Sequence, residues 1–281
     1  MALMCPAEFR TAGNNGDSSV RRSLVALQFL TIIPIRKGMR ITEEDISGSS
    51  SFFVMVGLLQ GALLAAVAYV SGRVFDAGLS AGVVLLVYVL SNGGFHLDGL
   101  ADTFDALASK GDSGEKLSVM RDSAIGPIGA ISVFFSLLIK YLAIKNLAIL
   151  PPFTVYSSLL FMPAFSKLAL VISMFHGKSA RTDGLGSLFI EKVRVTQVLY
   201  NISALFLAII AAQGLFSNYA AVGQYMFYAM ALLSVYFLCL ISAGMFGRKF
   251  GGLTGDTLGA TGEIADITFL LLVIVWSRLF I

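Results

Sequence analysis

The chain has 281 residues, 57% hydrophobic and only 13% charged, with a mean hydropathy of +0.83. Its charged share is about half that of a soluble protein, too little to cover a water-facing surface. Disorder, a collagen-like rod and a disulfide scaffold are excluded by the same figures, which leaves an all-α, polytopic membrane bundle. With 20 Lys and Arg against 17 Asp and Glu, the net charge of +3 implies no nucleic-acid partner.

The first 23 residues are mixed and polar and show no signal peptide, so insertion is expected through internal spans. Residues 23–35 are apolar but short, which predicts an interfacial helix stopped by Pro34. A helix needs roughly 20 residues to cross about 30 Å of hydrocarbon. Apolar runs of that kind predict spans near 51–71, 77–92, 125–142, 153–175, 195–215, 222–245 and 266–281. The second is short, and helical continuation into the motif behind it stays open. Residues 1–281 then form one membrane-embedded catalytic domain, with 1–50 as a cytoplasmic or interfacial segment. Cys5 and Cys239 are far apart and fit neither a disulfide framework nor a metal motif.

Basic residues set the expected orientation. Arg10, Arg21, Arg22, Arg36, Lys37 and Arg40 precede the first span. Lys110, Lys116 and Arg121 lie in the 93–124 loop, Lys178, Arg181, Lys192 and Arg194 in 176–194, and Arg248 and Lys249 in 246–265. The alternate loops carry little more than Arg73 and Lys145. The positive-inside rule places the N terminus and all three polar loops in the cytoplasm. Every chemically rich loop is thereby expected on one face.

Asp98, Asp102 and Asp105 follow one another at i, i+4 and i+7, within roughly 60° on a helical face. Three like charges so placed destabilise a helix unless a cation bridges them. Carboxylates without thiols or paired histidines suit a hard ion, Mg²⁺ or Mn²⁺. A solvated helix face is the bland alternative, but carboxylates abutting a span are expensive unless used. His96, two residues before Asp98, is a candidate substrate contact or a turn cap. Arg121 and Asp122 precede Gly126-Pro127, where a helix start offers N–H groups to an anion. Arg181 is a candidate phosphate fork among small residues. Lys167 lies mid-span and is expected to face the bundle, neutralising a carboxylate or a substrate phosphate. Residues 251–263 hold five glycines, with Gly252, Thr254, Gly255, Asp256 and Glu263 forming an expected ligand-contacting cradle. No P-loop and no hydrolase triad is visible. Carboxylates, arginines and a glycine cradle on one surface suit metal-assisted phosphoryl transfer.

The motifs HLDGLADTFDAL, MRDSAIGPIG and GGLTGDTLGATGE, in that order between spans, resemble the cobalamin synthase family, also called adenosylcobinamide-GDP ribazoletransferase. The resemblance extends to QFLTIIP at 28–34, FFVMVG at the first span and ARTDGLG at 180–186. It implies a Mg²⁺-dependent transfer of the cobinamide phosphate of adenosylcobinamide-GDP to α-ribazole or its 5′-phosphate, with release of GMP. It also implies Asp98, Asp102, Asp105 and Asp256 as metal ligands or bases, and Glu263 as a further site acid. A multi-pass enzyme in the inner membrane of a prokaryote is expected, active on the cytoplasmic face, with homo-oligomerisation left open. Ile32 stands where the family usually has arginine, Val54 where it has proline, and Asp266 where it has glutamate. Two rivals fit less well. A CDP-alcohol phosphotransferase pattern needs an arginine at the position of Asp102 and wider acid spacing. A cation-coupled transporter needs mid-membrane acids and repeated halves.

Overall fold

The computed structural model describes residues 18–34, 41–184, 186–216 and 222–280. Cys5, Arg10, Arg36, Lys37 and Arg40 lie outside these. Lipid offers no partners to backbone N–H and C=O groups, so helices are the economical solution. Among the described residues the chain is helical throughout, with one isolated bridge between Ser179 and Leu253.

The N-terminal helix α1, Ser18–Leu30, buries Val25, Ala26 and Leu30 and holds Arg21 Nε 3.4 Å from the buried Asp45. It stops four residues before Pro34, where Thr31 Oγ1 turns back to Leu27 O at 2.6 Å. Next come α2 (Glu43–Ser49), one short turn at Ser50–Phe52, and α3 (Phe53–Ser71). Helix α4, Ala77–Asn92, and helix α5, Phe95–Ala108, meet at a bend of 85°. Gly93 (φ 64°) and Gly94 (φ 72°) make that bend in left-handed conformations, which only glycine adopts without strain. α4 therefore does not run on straight through the acidic motif, and α5 turns sharply across its end.

The remaining helices are α6 (Ser113–Val119), α7 (Pro127–Leu147), α8 (Pro152–His176), α9 (Val195–Phe216), α10 (Val222–Phe250) and α11 (Gly255–Phe280). Among the described residues, six helical stretches are individually long and apolar enough to cross a membrane, and α4 with α5 passes only as a bent pair. The last helix begins at Gly255 rather than near 266. Its glycines are not an extended cradle but the packing face of a helix.

α8 is the hub, with 89% of its spanning window buried against 28% for α7, α9 and α10. Without a hydrophobic force between helices in lipid, close backbone approach sets the contact. A Cβ on Gly57 of α3 would lie 2.7 Å from Ala164 Cα of α8. Inside the bundle, Lys140 of α7 donates to Glu263 at 2.6 Å and to Asp266 at 2.9 Å. Tyr88 of α4 donates to Asp266 at 2.9 Å, and Ser136 to Glu263 at 3.1 Å. This network ties α4, α7 and α11 together at a depth where unpaired charge is costly.

Removing one member of such a buried group exposes the rest uncompensated. Lys140→Met should cost about 3–5 kcal/mol, read as a large fall in the thermal midpoint of the detergent-solubilised protein. The triple variant K140M/E263Q/D266N should recover part of that loss. An unchanged midpoint in Lys140→Met would mean that the network does not hold the helices.

Candidate functional site

The site grows from the crossing of α5 over the start of α11. A Cβ on Gly99 would lie 2.8 Å from Asp256 O, and one on Gly259 would lie 3.2 Å from His96 Cα. Only glycine at these positions lets the two backbones meet. The crossing sets Asp98 and Asp102 of α5 beside Asp256 of α11. Burial, then the charges of Asp98, Asp256 and Asp105, push the Asp102 carboxyl up to about 7, against the pull of Arg181.

Thr254 caps α11: Thr254 N donates to Thr257 Oγ1 at 2.8 Å, and Thr257 N donates back to Thr254 Oγ1 at 3.2 Å. Its hydroxyl also reaches Asp256 Oδ2 at 3.4 Å. The loop before it is fixed by Leu253 N donating to Lys178 O at 2.7 Å and Ala180 N donating to Leu253 O at 2.9 Å. That pairing delivers Arg181, whose guanidinium sits 3.8 Å from Asp256 and donates to Leu117 O at 2.7 Å. Its Nε is buried without a partner. Arg121 donates to both oxygens of Asp183, at 2.9 and 3.0 Å, linking the 120s loop to the 180s loop. Lys192 donates to Glu43 at 3.1 Å, which brings the N-terminal segment to the same end. The three polar loops thus converge on one end of the bundle.

Several expected site residues have other partners. Asp105 accepts from Gly126 N at 2.7 Å and Gly129 N at 2.8 Å. The anion at the start of α7 is the protein's own carboxylate, so neither the metal role of Asp105 nor a free anion site at Gly126-Pro127 is what the geometry presents. Asp122 accepts from Ala124 N at 3.1 Å and closes a turn. Gly252 is pressed against other backbone, since its Cβ would lie 2.5 Å from Lys178 O. Gly255 abuts Gly186, where a Cβ would lie 2.7 Å from Gly255 N. Glu263 belongs to the Lys140 network and is 3% exposed. Lys167 does face the bundle, but its partner is His96 Nδ1 at 3.2 Å rather than a carboxylate. An ammonium group only donates, so Nδ1 accepts and the His96 proton sits on Nε2. Burial, then Lys167 and Lys140, hold His96 well below its ordinary range, leaving it neutral.

The sequence reading missed Lys140, Tyr88 and Asn92. A lysine in the middle of a predicted span was the available signal for Lys140. Asn92 accepts from Gln60 Nε2 at 2.6 Å and locks α3 to the joint before Gly93. As hard-ion donors, Asp98, Asp102 and Asp256 are the right chemistry. Among the described residues, however, no three acidic, histidine or cysteine side chains are drawn together tightly enough to hold a metal as they stand.

A family profile described as cobalamin-5-phosphate synthase matches residues 22–274. An adenosylcobinamide-GDP ribazoletransferase of Thermodesulfovibrio yellowstonii is 34% identical over 270 residues, covering 93% of this chain and 99% of the relative. One from Geotalea daltonii is 36% identical, covering 90% and 96%. Another from Clostridium tetani is 32% identical, covering 90% and 95%. No solved structure matches.

Asp105 offers a clean separation of roles. As a cap, Asp105→Ala should cost about 1 kcal/mol of stability, while Asp105→Asn keeps an acceptor and most of it. Thermal unfolding of both variants beside the parent measures this. Equal, complete loss of turnover in both with stability untouched would return Asp105 to the metal-binding set.

Proposed function

The chain belongs to the cobalamin-5-phosphate synthase family, and from that premise we infer that it is the membrane transferase that closes the nucleotide loop of cobalamin. Its substrates are adenosylcobinamide-GDP and α-ribazole or α-ribazole 5′-phosphate. The observation that carries the reading is the meeting of Asp98, Asp102, Asp256 and Arg181 where α5 crosses α11.

The reaction forms a bond between an α-ribazole hydroxyl oxygen and the cobinamide-side phosphorus. It breaks that phosphorus's bond to the bridging oxygen, which leaves on GMP, and the hydroxyl proton goes to a base. Asp102 suits that role, because a carboxyl titrating at about 7 takes a proton near neutral pH. Arg181, with one edge on Leu117 O and another near Asp256, is placed to face a phosphate. His96 presents an Nε2–H donor fixed by Lys167. Mg²⁺ fits the donor set of Asp98, Asp102 and Asp256 and would supply charge neutralisation on the diphosphate. The basic residues gathered at the active end, Lys178, Arg181, Lys192 and Arg194 among them, support a cytoplasmic face for it.

GMP should appear one-for-one with product, only with α-ribazole and Mg²⁺ both present. Release of GDP, or of GMP without acceptor, would overturn the reading. Asp98→Asn and Asp102→Asn should each lower turnover by about 10²-fold or more while the protein still accumulates. Asp102 is protonated below about 7 and charged above, so the Mg²⁺ concentration for half-maximal rate should rise as pH falls through that value. A requirement flat in pH would remove Asp102 from the metal.

A further inference from the structure

The carboxylate end is rich in acids and poor in cations. Asp98, Asp256 and Asp105 bear on the Asp102 carboxyl, against Arg181. A nucleoside diphosphate brings more negative charge, and repulsion over a few ångströms has to be met by a cation. The surrounding loops bring one other guanidinium to this end, that of Arg121, and a carboxylate already holds it.

Arg121 and Asp183 stand on the rim of the site. Thr254 Oγ1 lies 3.8 Å from Met120 Sδ and 3.4 Å from Asp256 Oδ2, so the residue before Arg121 and the acid of α11 meet at one hydroxyl. On the other side, Arg181 lies 3.8 Å from Asp256, two residues before Asp183. The Arg121–Asp183 pair closes this ring of contacts, which begins and ends at Asp256. The loop carrying Asp183 is fixed on both sides of it. Arg181 Nη2 donates to Leu117 O at 2.7 Å, and Gly186 is pressed on Gly255. A change of partner at Asp183 is therefore a movement of side chains and needs no unfolding of the loop.

The two side chains are 57% and 65% exposed, and ion pairs so placed add little to stability. The geometry is nevertheless specific. Nη2 alone meets both carboxylate oxygens, at 3.0 and 2.9 Å. A guanidinium grips an oxyanion along one of two edges, Nη1 with Nη2 or Nε with Nη2, and Nη2 belongs to both. While Asp183 keeps Nη2, neither edge can take a phosphate by two hydrogen bonds. We propose that Asp183 occupies the seat of the donor's diphosphate on Arg121, and that the diphosphate takes Arg121 by displacing it. The proposal rests on the transferase reading for its donor. To that reading it adds Arg121 as a phosphate-binding residue and Asp183 as the residue that sets how tightly the nucleotide is held. Asp183 returns to Arg121 as GMP leaves, so it opposes retention of the product as well as binding of the donor.

Equilibrium binding of GDP and of guanosine to the full-length, detergent-solubilised protein tests this, while GMP release by the parent tests the transferase reading separately. Asp183→Asn should bind GDP about threefold more tightly, the size an exposed ion pair allows, and guanosine as the parent does. Arg121→Ala should weaken GDP binding about tenfold, and Arg121→Lys, which keeps the charge without the fork, should recover only part of that. In R121A/D183N the gain from Asp183→Asn should vanish, because Asp183 acts through Arg121. Unchanged or weaker GDP binding in Asp183→Asn would overturn the proposal, as would GDP binding by none of the proteins. The same gain in the Arg121→Ala background would also overturn it, by making Asp183 an ordinary repelling charge. Any of these beside normal GMP release by the parent would leave the transferase reading standing. The expected GDP responses in a parent that never releases GMP would support the exchange and fault that reading instead.

Discussion

Two backbones touching at Gly99 and Gly259 fix everything else at the reactive end. The contact draws α5 across the first turn of α11 at a separation that a side chain at Gly99 would forbid and one at Gly259 would strain. Lipid cannot drive such packing by hydrophobicity, because its tails are as apolar as the helices they surround. Small residues substitute for that force by allowing dispersion contact between main chains. The acids are then a consequence of the crossing: Asp98 and Asp102 ride on one helix, Asp256 on the other. They repel one another, and the crossing holds them together against that repulsion.

Holding like charges near each other requires anchoring elsewhere. α5 is anchored at its start by the Gly93-Gly94 joint and at its end by Lys116, whose ammonium donates to Ala106 O at 3.2 Å and to Ser109 O. Asp105 adds a third tie by capping α7. α11 is anchored along its length by the Lys140 network and by Ser166 Oγ donating to Gly262 O at 3.0 Å. Lys167 and His96 close the remaining gap between α8 and α5. The charged groups inside the bundle thus keep the helices in register, while those at its end are the ones proposed to act on substrate.

Much of this was legible from the chain alone. Apolar run length gives the approximate place of six of the seven expected spans, because bilayer thickness is a hard constraint on a helix, whereas α4 qualifies only with α5 as a bent pair. The acidic spacing gives the exposed face of α5. Glycine was harder to read. The run from Gly251 to Gly262 carries the same composition whether it is a loop approaching a ligand or a helix face approaching another helix. Only the partner, His96 and Gly99 on α5, decides between them. Asp105 shows the same limit, since helical periodicity places it with Asp98 and Asp102 but the free N–H groups of α7 claim it. Glu263 reads as a site acid until Lys140, 123 positions away, is found beside it.

The balance of charge at the reactive end constrains the proposed chemistry further. Asp98, Asp102 and Asp256 face one nearby cation, Arg181, while Arg121 is held by Asp183. A diphosphate adds negative charge to a place that already has an excess, and Coulomb repulsion at a few ångströms is substantial in a partly buried site. Burial first, and then the neighbouring carboxylates, hold the Asp102 carboxyl near 7 in the free protein, where its protonation relieves part of the excess. Bringing the diphosphate in with Asp102 ionised requires cations from elsewhere. The proposed Mg²⁺ would supply two charges to donors that suit it. Arg121 can supply a third only by leaving Asp183, an exposed pair whose exchange for a phosphate costs little. In the proposed reading, a bound Mg²⁺ would favour release of the Asp102 proton, because added positive charge favours the ionised carboxylate.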